Sequence, residues 1–358
     1  MTPAPATRTC TVRAANLGDP AELAAIDAFV DAHAEATPFH RVAWQLAVAQ
    51  GCGQRAHCLV ADHGAGGVAG ILPLTEVHSP VFGRALISVG FAVDGGVLAD
   101  TPRAATLLAE AAWELAERLS CPTLELRGGT PPRGDVWRHD DTTYLGFSRP
   151  LAADDDAELL AIPRKQRAEV RRALGLGMTV ETGREERDRA AHHAVYAQSV
   201  HALGTPVFPR ALFDAVLGHF DADADILTVR HQGMAVASVL SLYHRGTVYP
   251  YWGGGTADAR AVRANDLMYF ALMRHARGRG CTRFDFGRSK AGTGAAAFKK
   301  NWGFEPRALG YAVRVAPGAE PRSTNPLAAG NRLKVAMWKR LPLRVANRLG
   351  PALSRGIG

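Results

Sequence analysis

Long apolar runs are missing from this sequence of 358 residues. None approaches the roughly 20 consecutive apolar residues that cross a bilayer, so the expectation is a soluble or at most membrane-peripheral protein. The opening residues lack a basic start followed by an apolar stretch, so no secretory signal is expected and a cytoplasmic location is. Cysteine is sparse and odd in number: Cys10, Cys52, Cys58, Cys121 and Cys281 stand far apart, with no metal-ligand or redox spacing, and read as reduced thiols. The motifs H-E-x-x-H, G-x-S-x-G and G-x-x-x-x-G-K-[ST] are all absent. His192 and His193 are adjacent, so they point to different helix faces and form no two-ligand pair. Metal and triad chemistry are therefore not expected, nor is a tightly bound cofactor. Acidic residues are missing altogether from Pro321 to Gly358, a tail that carries eight basic ones. That number equals the formal net charge of +8, so the rest of the chain is electrically balanced. A basic tail on a neutral body does not make a DNA-binding surface.

What is present is enough for two domains. The chain is 47% hydrophobic and 21% charged, an ordinary balance for a protein with substantial cores. A repeat divides it. AHCLVADHGAGGVAG at 56–70 matches ADILTVRHQGMAVAS at 224–238, an offset of 168. VAGILPL at 68 faces VASVLSL at 236, GGVLAD at 95 faces GGGTAD at 253, and CPTLEL at 121 faces CTRFDF at 281. Each unit reads as a hairpin of two apolar strands, a third strand ending in glycines, an amphipathic helix and a last strand. Leu108, Ala111, Ala112 and Leu115 mark one helix face; Leu267, Phe270, Ala271 and Met273 mark its counterpart. Strand–helix–strand near each unit's end implies a right-handed crossover and a mixed α/β sheet flanked by helices. The expected division is 1–153, 154–320 and a basic amphipathic tail over 321–358. At the first boundary Asp154–Asp156 can cap a short helix, and Pro163 suits the first turn of the next.

Several stretches stand in a fixed order: TPFHRVAW at 37, IPRKQRAEVRR at 162, LGTPVFPR at 203, YWGGGTADARAVRAND at 251, FDFGRSKAGTG at 284, FKKNWGFEP at 298 and RLPLRVANRLGP at 340. Together they resemble the FemAB family, and more closely the FemAB-like proteins associated with exosortase and PEP-CTERM systems. The resemblance implies two tandem GNAT-like domains, with acyl or aminoacyl transfer to an amine or hydroxyl. The implied acceptor is a cell-envelope, peptidoglycan-type or exopolysaccharide-linked precursor, and the co-substrate is an aminoacyl-tRNA or an acyl-CoA. A lysine directly after a phenylalanine is functional in that family, which points to Phe298 and Lys299. Lys299 is the expected catalytic residue, its ammonium stabilising a developing oxyanion. On the residues alone, Lys299 and Lys300 read equally well as a solvated helix face.

Other stretches supply binding candidates. In GRSKAGTG, glycines 287, 292 and 294 allow close backbone approach, while Arg288, Ser289 and Lys290 offer donors; a plain turning loop is the alternative. Arg164, Arg167 and Arg171 share one helix face and suit phosphates, although surface helices often look alike and Glu169 can pair within the helix. Where GNAT enzymes hold the coenzyme A pyrophosphate, this chain offers Arg260, Arg263 and Asn265 without the two glycines of that signature, next to Tyr251. The lysine that UDP-precursor-binding members carry shortly after the first domain's tryptophan is absent after Trp44. The tail gives two stripes, Leu333, Ala336, Met337, Leu341 and Val345, Leu349, Leu353, backed by arginine and lysine. They suit docking on the body or an anionic membrane surface at the inner face. Two other readings remain open: an acyl-CoA-dependent transferase acting on exopolysaccharide, and a non-catalytic adaptor that the tail brings to a membrane.

Overall fold

The computed structural model describes residues 10–63, 67–79, 83–320 and 329–356, with no account of the side chains of 329–334. Arg322 and the side chains of Arg332, Leu333 and Lys334 therefore lie outside the described residues. The strands are β1 (Cys10–Ala14), β2 (Arg55–His63), β3 (Val68–Ser79), β4 (Gly83–Ser88), β5 (Leu98–Ala99), β6 (Thr123–Arg127), β7 (Arg138–Asp140), β8 (Tyr144–Pro150), β9 (Thr179–Gly183), β10 (Ala224–His231), β11 (Met234–His244), β12 (Thr247–Gly255), β13 (Arg283–Lys290), β14 (Pro306–Ala308) and β15 (Tyr311–Val315). The α-helices are α1 (Pro20–Ala32), α2 (Val42–Cys52), α3 (Pro102–Arg118), α4 (Asp155–Ala161), α5 (Arg164–Leu174), α6 (Glu186–Leu203), α7 (Arg210–Phe220), α8 (Ala257–Ala261), α9 (Ala264–Gly278), α10 (Gly294–Asn301), α11 (Ala329–Arg340) and α12 (Leu343–Ser354).

Two compact units emerge, and they are not contiguous in sequence. Unit 1 holds the described residues up to Asp141 together with those from Gly310 to Glu320 and Gly356; unit 2 holds Thr142–Leu309 and the described tail up to Arg355. Unit 1 has an 8-stranded sheet in the order β1-β2-β3-β4-β6-β15-β7, with β5 paired to β3. Unit 2 has a 7-stranded sheet in the order β14-β8-β13-β12-β11-β10-β9. The division at 153/154 expected from sequence differs from this for a topological reason. Strand β8 pairs with β13 and β14 in unit 2, while β15 runs between β6 and β7 in unit 1.

Within unit 1, alternate residues of β2 feed two separate cores, as a period of two demands of a strand buried on both faces. Leu59 and Ala61 pack with Leu108, Ala112 and Leu115 of α3, whereas Cys58 and Val60 pack with Ile26, Val30 and Val42 of α1 and α2. Thr101 caps α3, accepting from the Ala104 N–H (3.2 Å), with Pro102 at the first helical position. Unit 2 repeats the scheme. Leu267, Phe270 and Met273 of α9 are buried against Leu227, Val229, Ala237 and Val239 of β10 and β11, each worth about 1.5–3 kcal/mol of burial. On the other face α6 and α7 set Phe213 edge-on to Tyr196 and Trp252 at 5.3 and 4.8 Å.

The expected cap at Asp154 is present, its carboxylate accepting from Ala157 N–H at 2.8 Å. All five cysteines are free, and burial pushes the Cys58 thiol up to about 12. The repeat departs from expectation in one place. The third strand of unit 1 is β4, and GGVLAD contributes only the two residues of β5, whereas GGG does end β12 in unit 2. The tail docks on α6, and of the stripes named from sequence Met337, Val345, Leu349 and Leu353 stay exposed. Gly204, which ends α6 at φ +81°, lies where a Cβ would meet Val335 at 2.5 Å and Lys339 at 3.0 Å. On α12 the docked residues are small ones, Ala346, Gly350 and Ser354. The Ser354 hydroxyl donates to the carbonyl of Val207 at 2.8 Å.

Candidate active site

The parallel neighbours β12 and β13 pair only at Thr247↔Arg283 and Val248↔Phe284. Beyond those two rungs each strand carries a bulge. Trp252 pairs with Leu240 and Pro250 with Ser241, which leaves Tyr251 as the extra residue of β12. On β13, Asp285 faces Ser148 and Arg288 faces Gly146, so Phe286 and Gly287 together stand opposite Phe147 of β8. Gly287 adopts φ +68°, a left-handed conformation that glycine reaches without a Cβ penalty. A bulge bends its strand and increases its twist. The two parallel strands therefore part, and a wedge opens between residues 249–255 and the bulged end of β13.

Lys299 reaches this bulge from α10. Its Nζ donates to the carbonyls of Gly287 (3.1 Å) and Arg288 (2.9 Å) and lies 5.4 and 5.7 Å from the ring centroids of Phe147 and Phe286. Burial among these groups pushes its pKa down to about 7, with the nearby Asp285 carboxylate opposing and Arg288 adding to the fall. Burial raises the Asp285 pKa in turn, against the pull of the Gly287 N–H that donates to its Oδ1 at 2.7 Å. An ammonium has three donors; two are spent on carbonyls and the third has no hydrogen-bond acceptor among the described residues. Local sequence fixes this geometry. Thr293 starts α10, donating its hydroxyl to Lys290 O (2.7 Å) and accepting from Ala296 N–H (3.4 Å). The ring of Phe298, a candidate for substrate binding, packs 5.8 Å from Tyr269 and 6.2 Å from both Phe286 and Trp302. It holds the helix that carries Lys299, meeting Phe286 edge to face and Tyr269 and Trp302 at tilted angles.

The turning loop left open for GRSKAGTG does not include its first residues: β13 continues through Lys290, and Arg288, Ser289 and Lys290 pair with Gly146, Leu145 and Tyr144 of β8. Arg288 lies over the Tyr144 ring at 4.5 Å. Ser289 is 6% exposed and its hydroxyl has no partner among the described residues. Lys300 is exposed.

Arg164, Arg167 and Arg171 come together as the sequence spacing requires, lining with Ala168 a concavity of ≈ 470 Å³. Glu169 does not pair within α5. It takes the Arg263 guanidinium, which also donates to Arg260 O at 2.8 Å, so Arg263 bridges α5 to the start of α9. Arg260 is exposed. The Asn265 Oδ1 is buried without a donor among the described residues and lies 2.5 Å from where a Cβ on Gly255 would stand. At Gly254 a Cβ would meet the Ser199 hydroxyl at 2.3 Å. These glycines at the end of β12 are thus required by close packing against α9 and α6. Sequence reasoning missed Tyr144 and Phe147, whose signal was the strand-like YLGFSRP, because that stretch was assigned to the first domain.

Residues 163–300 match the family described as Acetyltransferase (GNAT) domain. No curated protein matches the chain. Among solved structures, FemX is similar at 17% identity and TM-score 0.65, covering 81% of this chain and 95% of that one. A tandem GNAT protein from the clavulanic acid biosynthesis pathway is similar at 12% identity and TM-score 0.56, covering 87% and 100%. L-PGS from Bacillus licheniformis is similar at 13% identity and TM-score 0.52, covering 90% and 98%. At these identities the likeness is one of fold. The chain is built as two GNAT-type α/β units, and unit 2 carries the acyltransferase domain.

Proposed function

We propose that unit 2 transfers an acyl or aminoacyl group from a phosphate-bearing ester or thioester donor to an amine or hydroxyl, with Lys299 stabilising the oxyanion. The acceptor attacks the carbonyl carbon. A C–N or C–O bond forms, the donor's C–O or C–S bond breaks, and the leaving group takes the proton the acceptor loses. The observation that carries this reading is the Lys299 ammonium, fixed by two carbonyls at the bulge of β13 with its third N–H unpartnered among the described residues. A donor held in place at a developing oxyanion contributes about 2.7–4 kcal/mol. The concavity lined by Arg164, Arg167 and Arg171 supports a donor that carries phosphates, as both an aminoacyl-tRNA and an acyl-CoA do. The wedge beside β12 favours the thioester, because a strand that leaves its parallel neighbour after two rungs can turn backbone groups toward an amide-bearing arm. A cell-envelope or polysaccharide-linked acceptor is supported by the ordered motifs that resemble FemAB-like proteins of exosortase systems.

The test is a pH profile. The stabilising form of Lys299 is the cation, and burial brings its pKa down to about 7. In the free enzyme the cation is present below that value and lost above it, so kcat/KM should fall about tenfold per pH unit well above 7. In Lys299→Arg, whose guanidinium stays charged, that limb should vanish whatever rate remains. A wild-type profile that rises through pH 7 would make Lys299 a general base instead. An unchanged limb in Lys299→Arg would remove it from the chemistry.

A further inference from the structure

The second tail helix, α12, has three faces with different fates. Ala346, Gly350 and Ser354, spaced at i, i+4 and i+8, turn toward the body; Ala346 is 2% and Ser354 0% exposed. Gly350 lies so close that a Cβ would meet the Val207 backbone at 3.0 Å, so docking through this face is tight and complete. Val345, Leu349 and Leu353, at the same spacing one residue earlier, are left 42%, 47% and 39% exposed. Docking on the body does not account for this stripe. Beside it, about 100° round the helix, stand Arg344 and Arg348, both exposed and without an ion-pair partner among the described residues. No aspartate or glutamate occurs between Pro321 and Gly358 to neutralise them. The last turn of α11 continues the pattern with Met337 at 62% exposure and with exposed Lys339 and Arg340.

We propose that the outward face of α12 docks on an anionic lipid bilayer. An apolar stripe flanked by arginines is what such an interface rewards: leucine and valine enter the acyl boundary while guanidinium groups stay with the headgroup phosphates. A nucleic acid would satisfy the arginines and leave the leucines in water. A second copy of the chain, meeting this face through a two-fold axis, would bring the same arginines against one another. Charge and apolarity together therefore select the lipid surface. This inference stands apart from the chemistry assigned to Lys299.

Co-sedimentation of the full chain with vesicles of phosphatidylcholine, with and without phosphatidylglycerol, tests it. Binding is expected only to the anionic vesicles and should weaken as salt is raised. Arg344→Gln with Arg348→Gln should lower partitioning about 30-fold, the equivalent of about 2 kcal/mol at about 1 kcal/mol per basic residue. Leu349→Asp should lower it about tenfold or more. Both variants change exposed residues, and their unfolding midpoints should match the parent. Failure of the parent to sediment with anionic vesicles would overturn the proposal, as would wild-type binding by both variants. A dimer in solution that Leu349→Asp dissolves, without lipid binding, would also overturn it and assign the stripe to self-association.

Discussion

Units 1 and 2 share one plan, yet the parallel pair at the heart of each is treated in opposite ways. In unit 2, β12 and β13 part after two rungs, and the carbonyls at the bulge of β13 are taken by Lys299. In unit 1, β4 and β6 stay paired to the end of β4, through Ser88↔Leu126. The space beyond is occupied by the chain itself. Gly95 N–H donates to Arg127 O (2.9 Å), Arg127 N–H to the Ser88 hydroxyl (3.0 Å) and the Arg127 guanidinium to Ala92 O (3.0 Å). From the surrounding elements, Trp44 donates to Gly90 O (3.1 Å) and Tyr311 to Val93 O (2.8 Å). The acidic residues at matching positions diverge too. Glu125 pairs with Arg127 at 2.7 Å, while Asp285 accepts from the Gly287 amide beside Lys299. A duplicated fold has thus been filled by its own backbone in one copy and left as a wedge with a buried cation in the other. The lesson is that unit 1 spends its polar groups on itself, and chemistry is expected only in unit 2.

The comparison can be sharpened by perturbing each side. The largest effect is expected from Arg127→Ala, which strips a 6%-exposed guanidinium from Glu125 and Ala92 O. Breaking a buried pair on one side leaves unpaired groups behind, so unit 1 should lose about 2–4 kcal/mol. Denaturant unfolding measures this, and a loss below about 1 kcal/mol would mean the filled wedge is not structural. Next comes Arg167→Gln with Arg171→Gln in the concavity of unit 2. It should raise the donor's KM about 10–30-fold with kcat retained, since two charge-assisted hydrogen bonds to phosphate are lost; an unchanged KM would assign the concavity to solvent. Smallest is Ser289→Ala. The buried hydroxyl has no partner among the described residues, so its removal should leave stability unchanged or improve it by about 1 kcal/mol. A destabilised variant would show that the hydroxyl is satisfied within the fold.

Much of this was legible beforehand. The hairpins, the amphipathic faces of α3 and α9 and the cap at Asp154 follow from local pattern, and the correspondence of LEL with FDF follows from the repeat, both of which a single sequence carries. What was hidden depended on partners distant in the chain. The strand character of Arg288–Lys290 comes from β8, more than a hundred residues earlier, and β15 enters unit 1 from beyond unit 2. No local pattern marks those pairings, so a turning loop stayed open as an alternative for the stretch after Phe286. The reach of Lys299 to two carbonyls likewise depends on a bulge, which only the register between β13 and β8 defines. In the tail, the large apolar residues drew attention as the docking stripe, although the helix packs through its small ones.

The central claim, that chemistry belongs to the open unit and not to the filled one, is tested most directly by turnover of two variants with one donor. Lys299→Ala and Arg127→Ala are compared at equal folded fraction, with acyl transfer followed by mass spectrometry of the product. The account predicts that Lys299→Ala keeps its fold and loses about 10²–10³ in kcat, while Arg127→Ala, though less stable, turns over within about twofold of the parent per folded molecule. Full turnover by Lys299→Ala, or an equal loss in both variants, would contradict it.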